Sequence, residues 1–143
     1  MFIVHSHQST VDSQIRFCKG ETMGDYRKLA VWEKSHQFAL SVYRVTNAFP
    51  KDELYGLTSQ VRRSSVFIAS NIVEGSGRGG DAELIRFLRI AAGSAHEAEY
   101  QLLLAHDLGF LSTEIHKQLE KDATEIKRML SGLIQTLEAR RKS

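Results

Sequence analysis

The chain has 143 residues, enough for one ordinary domain. It is 42% hydrophobic and 25% charged, which suits a folded core and excludes a disordered polyelectrolyte. Nineteen Lys and Arg against 17 Asp and Glu give a net charge of +2, too small to indicate a nucleic-acid binder without local clustering. One cysteine, Cys18, excludes an internal disulfide framework and any CxxC metal knuckle. One proline, Pro50, beside ten glycines points to long helices with a few sharp breaks. No apolar run is long enough to span a membrane.

Residues 1–24 have no steady apolar period and no secretory-signal layout. They are expected to form a loose extension, or upstream sequence from an early start codon, since Met23 looks like a natural beginning. The alternatives are a short strand at Phe2–His5 or a helix at Val11–Phe17 packed on the body. His5 and His7 could touch a metal on an extended chain but lack further ligands, so a solvated tail is expected.

Residues 25–143 form the expected domain, and helical spacing dominates it. Leu29, Trp32, Phe38, Ala39, Val42, Tyr43 and Phe49 recur at intervals near three, four and seven. They predict a first helix from about Arg27 or Val31 to Ala48, stopped by Asn47 and Pro50. Asp52 should cap the second helix, with Glu53 in its first turn. Its core arc is Leu54, Leu57, Val61, Ser64, Ser65, Ile68, Ile72 and Gly75. The run Gly75-Ser76-Gly77-Arg78-Gly79-Gly80 breaks the pattern, and Asp81 should cap the third helix. That helix buries Leu84, Phe87, Leu88, Ala91, Ala95, Ala98, Leu102 and Ala105 and ends near Leu108 with Gly109 as a left-handed stop. Ser112-Thr113-Glu114 opens the fourth, whose core residues are Ile115, Leu119, Ile126, Met129, Leu130, Leu133 and Leu137. Its basic end, Arg140-Arg141-Lys142, suits the helix macrodipole. Short connections make neighbours antiparallel, so the predicted fold is all-α, an antiparallel up-down-up-down four-helix bundle.

The middle helices carry a second face. Arg63, Phe67, Ser70 and Glu74 lie opposite the core arc of helix two; Arg86, Ile90, Gly93, Glu97, Tyr100 and Leu104 lie opposite that of helix three. Bulky apolar groups, small residues and opposite charges together resemble an interface core more than a solvated face. Self-association through these ten residues is expected, with Arg63 or Arg86 meeting Glu74 or Glu97 across subunits. The competing reading is pairing within one helix.

The strongest candidates for nucleic-acid contact are Arg62, Arg63, Arg78, Arg86 and Arg89, because arginine grips phosphates without reading sequence. The competing reading is salt bridging to Glu74, Glu97 and Asp81. The glycine loop could cradle a phosphate, but it lacks GxxxxGK[ST] and follows a helix, so a tight turn is expected. His96 and Glu99 share a helical face, yet no partner motif completes a metal site, and His116 is isolated. No nucleophile–base pattern occurs, so neither metal, cofactor nor enzymatic activity is expected.

The run Leu54-Tyr55-Gly56-Leu57-Thr58-Ser59-Gln60-Val61-Arg62-Arg63-Ser64-Ser65, continued by Ile68-Ala69-Ser70-Asn71-Ile72-Val73-Glu74-Gly75-Ser76-Gly77-Arg78, resembles the bacterial four helix bundle proteins, named after proteins encoded in intervening sequences of large-subunit ribosomal RNA genes. Phe87-Leu88-Arg89-Ile90-Ala91-Ala92-Gly93-Ser94, Glu97-Ala98-Glu99-Tyr100-Gln101-Leu102 and the opening Tyr26-Arg27-Lys28-Leu29 with Val31-Trp32 are similar too. Val73 and Phe67 are mild departures, and residues before Met23 fall outside the pattern. The resemblance implies a four-helix bundle that assembles into a homopentameric ring, with no known catalytic activity. A cytoplasmic protein that meets no membrane is expected. The resemblance also implies partners. One reading is an oligomer that binds RNA or DNA; the alternative is an accessory subunit that grips a protein such as a reverse transcriptase.

Overall fold

The computed structural model describes residues 25–142. Helix α1 spans Ala30–Thr46, α2 Leu57–Gly77, α3 Asp81–Asp107 and α4 Thr113–Lys142, with short 3-10 turns at Tyr26–Lys28 and Lys51–Glu53. There is no strand among the described residues. The expectations for Phe2–His5, Val11–Phe17, His5, His7 and Cys18 lie outside the described residues.

The chain folds as the predicted four-helix bundle. Contacts between ends fix the directions. Arg62, early in α2, reaches Thr46 at the end of α1, and Asp81, which opens α3, meets Arg140 near the end of α4. The α3 helix is central and packs most extensively, against α2 on one side and α4 on the other. The core arc of α3 is buried as predicted, because Ala91, Ala95, Ala98 and Ala105 let the neighbouring helices close in while Leu84, Leu88 and Leu102 fill the gaps. Each large aliphatic side chain so buried contributes about 1.5–3 kcal/mol. Ile68, Ile72, Ile126, Leu130, Leu133 and Leu137 complete the centre.

Several boundaries differ from the expectation. Helix α1 ends at Thr46, whose hydroxyl donates back to Val42 O at 2.7 Å. Asp52 does not cap α2: it sits in the 3-10 turn, and α2 starts five residues later. The backbone at Gly56 (φ −108°, ψ −116°) delays the start, and the Glu53 carboxylate, accepting from Leu57 N at 3.0 Å, satisfies the first turn from outside. Leu54 is therefore 48% exposed and not core. Asp81 is likewise the first residue of α3 and not its cap.

Helix α2 also runs two residues further than the glycine signal suggested. Gly75 and Ser76 are buried inside it, and a β-carbon at Gly75 would come within 2.8 Å of Phe87 Cβ. The helix breaks at Gly79 and Gly80, whose φ angles of 72° and 156° favour glycine. Gly109 (φ 83°) ends α3 as predicted. At the start of α4 the core phase is one residue late. Ile115 is 42% exposed, while His116 is buried with its ring stacked on His106 at 4.7 Å.

Candidate functional site

The second face of α2 and α3 is open to solvent. Arg63, Phe67, Ser70, Glu74, Arg86, Ile90, Gly93, Glu97 and Tyr100 are all exposed, and Leu104 is half-buried against the core. Phe67, Ile90 and Tyr100 expose 41%, 43% and 62% of their surface on these two adjacent helices. Nothing fills the space beside Gly93, which leaves a flat spot on α3. The polar members have partners inside the subunit. Glu74 pairs with Arg78, Arg86 with Glu83, and Glu97 accepts from Gln101 Nε2 at 3.1 Å. Arg63 lies over the Phe67 ring at 5.1 Å.

An apolar groove of about 420 Å³ adjoins this face. Ala39, Leu40 and Tyr43 of α1 line one wall, and Val66, Ala69, Ser70 and Val73 of α2 line the other. Leu40 and Tyr43 are 39% and 44% exposed. Sequence reading missed the groove and placed Tyr43 in the core. The available signal was Leu40, an apolar residue off the core arc of α1.

The five candidate arginines do not form one cluster. Arg62 and Arg63 lie near the start of α2; Arg78, Arg86 and Arg89 lie where α2 ends and α3 begins. Arg78 stands fifteen positions after Arg63 along α2, about 22 Å away at 1.5 Å per residue. Arg62 is tied to α1, donating to Thr46 Oγ1 at 2.8 Å and Asn47 Oδ1 at 3.1 Å, with its guanidinium over Tyr43 at 4.7 Å. Those contacts make it a clasp between α1 and α2.

At the other end Arg89 reaches Glu138 of α4 at 2.8 Å. Arg140 holds both carboxylate oxygens of Asp81, at 2.8 and 2.5 Å, so the basic end of α4 fastens the start of α3. The sequence assigned Arg140 only to the helix dipole. The hydrogen bond from Arg86 holds the Glu83 carboxyl below the usual glutamate range; it outweighs the opposing effect of burial, and the charges of Arg86 and Arg78 add lesser help. In the glycine loop a β-carbon at Gly77, Gly79 or Gly80 would meet nothing within 4 Å.

The metal reading finds no support in the geometry. Glu99 is engaged by Lys127 at 2.8 Å, and no group of three metal-ligating side chains occurs among the described residues. His106 hydrogen-bonds Asp107 and Thr113. No helix among the described residues is long and apolar enough to cross a membrane.

Fold and surface together define a four-helix bundle protein with an exposed apolar face on its middle helices. It belongs to the family described as 23S rRNA-intervening sequence protein, whose model matches residues 27–132. A solved structure from Bacteroides thetaiotaomicron, a protein of unknown function from the S23 ribosomal protein family, is similar at 29% identity and a TM-score of 0.66. The match covers 73% of this chain and 98% of that one. No curated protein matches.

Proposed function

We propose that this protein is a non-enzymatic homo-oligomer, a ring of five subunits in the cytoplasm, that binds nucleic acid through a basic surface. The observation that carries the reading is the exposure of Phe67, Ile90 and Tyr100 on α2 and α3 beside the α1–α2 groove. A closed ring needs two unlike surfaces on each subunit, whereas a two-fold dimer needs one self-complementary patch. The α2–α3 face and the groove are two such surfaces. The pentameric number and the absence of catalysis follow the family resemblance. RNA is the favoured ligand because the family takes its description from intervening sequences of 23S rRNA.

The apolar groove also favours a second reading, an accessory subunit that grips a protein partner such as a reverse transcriptase. Light scattering during an RNA titration separates the two. A mass of several subunits with salt-sensitive RNA binding supports the first reading. Salt-insensitive capture of a protein partner without RNA supports the second. A 16.1 kDa monomer that binds no RNA overturns the first.

A further inference from the structure

We propose that the nucleic-acid backbone is held at the glycine-loop end of the bundle, by Arg78 and Arg86 with Arg141 and Lys142, and that Arg62 takes no part. The inference rests on the nucleic-acid half of the reading above and assigns it a place: Glu74 and Arg86 are the members of the α2–α3 face nearest the glycine loop, at the rim of the contact that Phe67, Ile90 and Tyr100 make with another copy.

Charge is unevenly distributed along the α3–α4 hairpin. Residues 97–125, around its turn, carry seven Asp and Glu against two Lys. Residues 74–89 with 138–142, at the opposite end, carry six Lys and Arg against four Asp and Glu. All four of those carboxylates are engaged: Glu74 by Arg78, Glu83 by Arg86, Glu138 by Arg89 and Asp81 by Arg140. A polyanion approaching from the glycine loop therefore meets no unpaired carboxylate in these segments, and it meets the exposed Arg141 and Lys142. One approaching the hairpin turn meets a surplus of negative charge.

Arg78 and Arg86 are also set in position. Both guanidinium carbons lie over the ring of buried Phe87, at 5.3 and 4.4 Å, so they stand no more than about 10 Å apart. Each is steadied by one carboxylate, yet the two side chains remain 51% and 55% exposed. A guanidinium has five N–H donors, so a single carboxylate leaves donors for a phosphate. Two positioned forks lose less freedom on binding than two mobile lysines. The glycines beside them add no side chain that would hold a backbone away.

The test is fluorescence anisotropy with a labelled 20-nucleotide single-stranded RNA across a salt series, on the full chain. Arg78→Gln/Arg86→Gln should weaken binding roughly tenfold and flatten the log K against log salt slope by about 1.4, near 0.7 for each phosphate no longer neutralised. Arg141→Gln/Lys142→Gln should act in the same direction. Glu74→Gln/Glu83→Gln, which releases donors, should tighten binding. Arg62→Gln and Lys117→Gln/Lys121→Gln, all away from the glycine loop, should leave the slope unchanged, and circular dichroism with light scattering should show equal helix content and mass in every variant. If Arg62→Gln flattens the slope, or if the Arg78/Arg86 variant leaves it unchanged, this placement is wrong and nucleic-acid binding stands. If the unmodified chain binds no RNA at any salt concentration, the nucleic-acid reading fails and the placement fails with it.

Discussion

Gly75 lies directly against Phe87, and the space between them is too small for a methyl group. An added β-carbon would sit 2.8 Å from Phe87 Cβ and 3.2 Å from a Leu84 methyl. The first of these is an atom fixed to the α3 backbone, so α2 and α3 would have to separate. Gly75→Ala gains up to about 1 kcal/mol of helix propensity and loses about 1–3 kcal/mol to overpacking. The expected outcome is a net loss of stability in urea unfolding, with unchanged helix content in the folded state.

A buried polar contact sets the register of the same pair of helices. Ser64 Oγ donates to Gln101 Oε1 at 2.6 Å, with both residues out of solvent. Ser64→Ala leaves a buried acceptor without its donor and should cost about 1–3 kcal/mol. Removing both polar groups, as Ser64→Ala/Gln101→Leu, should recover part of that loss. A double-mutant cycle by denaturant unfolding measures the coupling, expected at about 0.5–3 kcal/mol.

The link between Asp81 and Arg140 joins the start of α3 to the end of α4. Both side chains are a little over one quarter exposed, and the pair is two-pronged. That environment places it between an exposed pair and a buried one, so Asp81→Asn should cost about 1–2 kcal/mol. The loss should shrink in high salt, which screens the wild-type attraction. Hydrogen exchange should rise first in the last turn of α4.

Glu83 provides a pH readout of Arg86. Its folded-state pKa is depressed, mainly by the Arg86 hydrogen bond. The associated stabilisation is present above the unfolded-state pKa and is lost as pH falls through the lower folded-state value. In a carboxyl-detected NMR titration Glu83 should protonate at lower pH than an ordinary glutamate. Arg86→Gln should move its midpoint up toward the ordinary value.

Most of the fold was legible because helix periodicity is a local property. The core arc of α3 and most of that of α2 could be read directly from intervals of three and four residues. Errors came where a local signal competed with packing. Asp52 looks like a cap, but Gly56 and the Glu53 side chain place the start of α2 later. Ile115 looks like core, but the stacking of His116 on His106 sets the phase of α4. The exposed face was legible from residues off the core arcs. The fate of the arginines was not, because it depends on tertiary register. Arg89 and Glu138 are 49 residues apart, and Asp81 and Arg140 are 59 apart. The groove was missed for the same reason, since its two walls come from different helices.

The central claim is that the uncovered side of α2 and α3 exists to meet another copy of the chain. Size-exclusion chromatography with light scattering, on the unmodified chain and on Phe67→Glu/Ile90→Glu, tests it most directly. Both substitutions lie on exposed positions, so the bundle itself should keep its helix content. The account predicts a multiple of 16.1 kDa for the unmodified chain and 16.1 kDa for the variant. A single-subunit mass for the unmodified chain, or an undiminished oligomer in the variant, would contradict it.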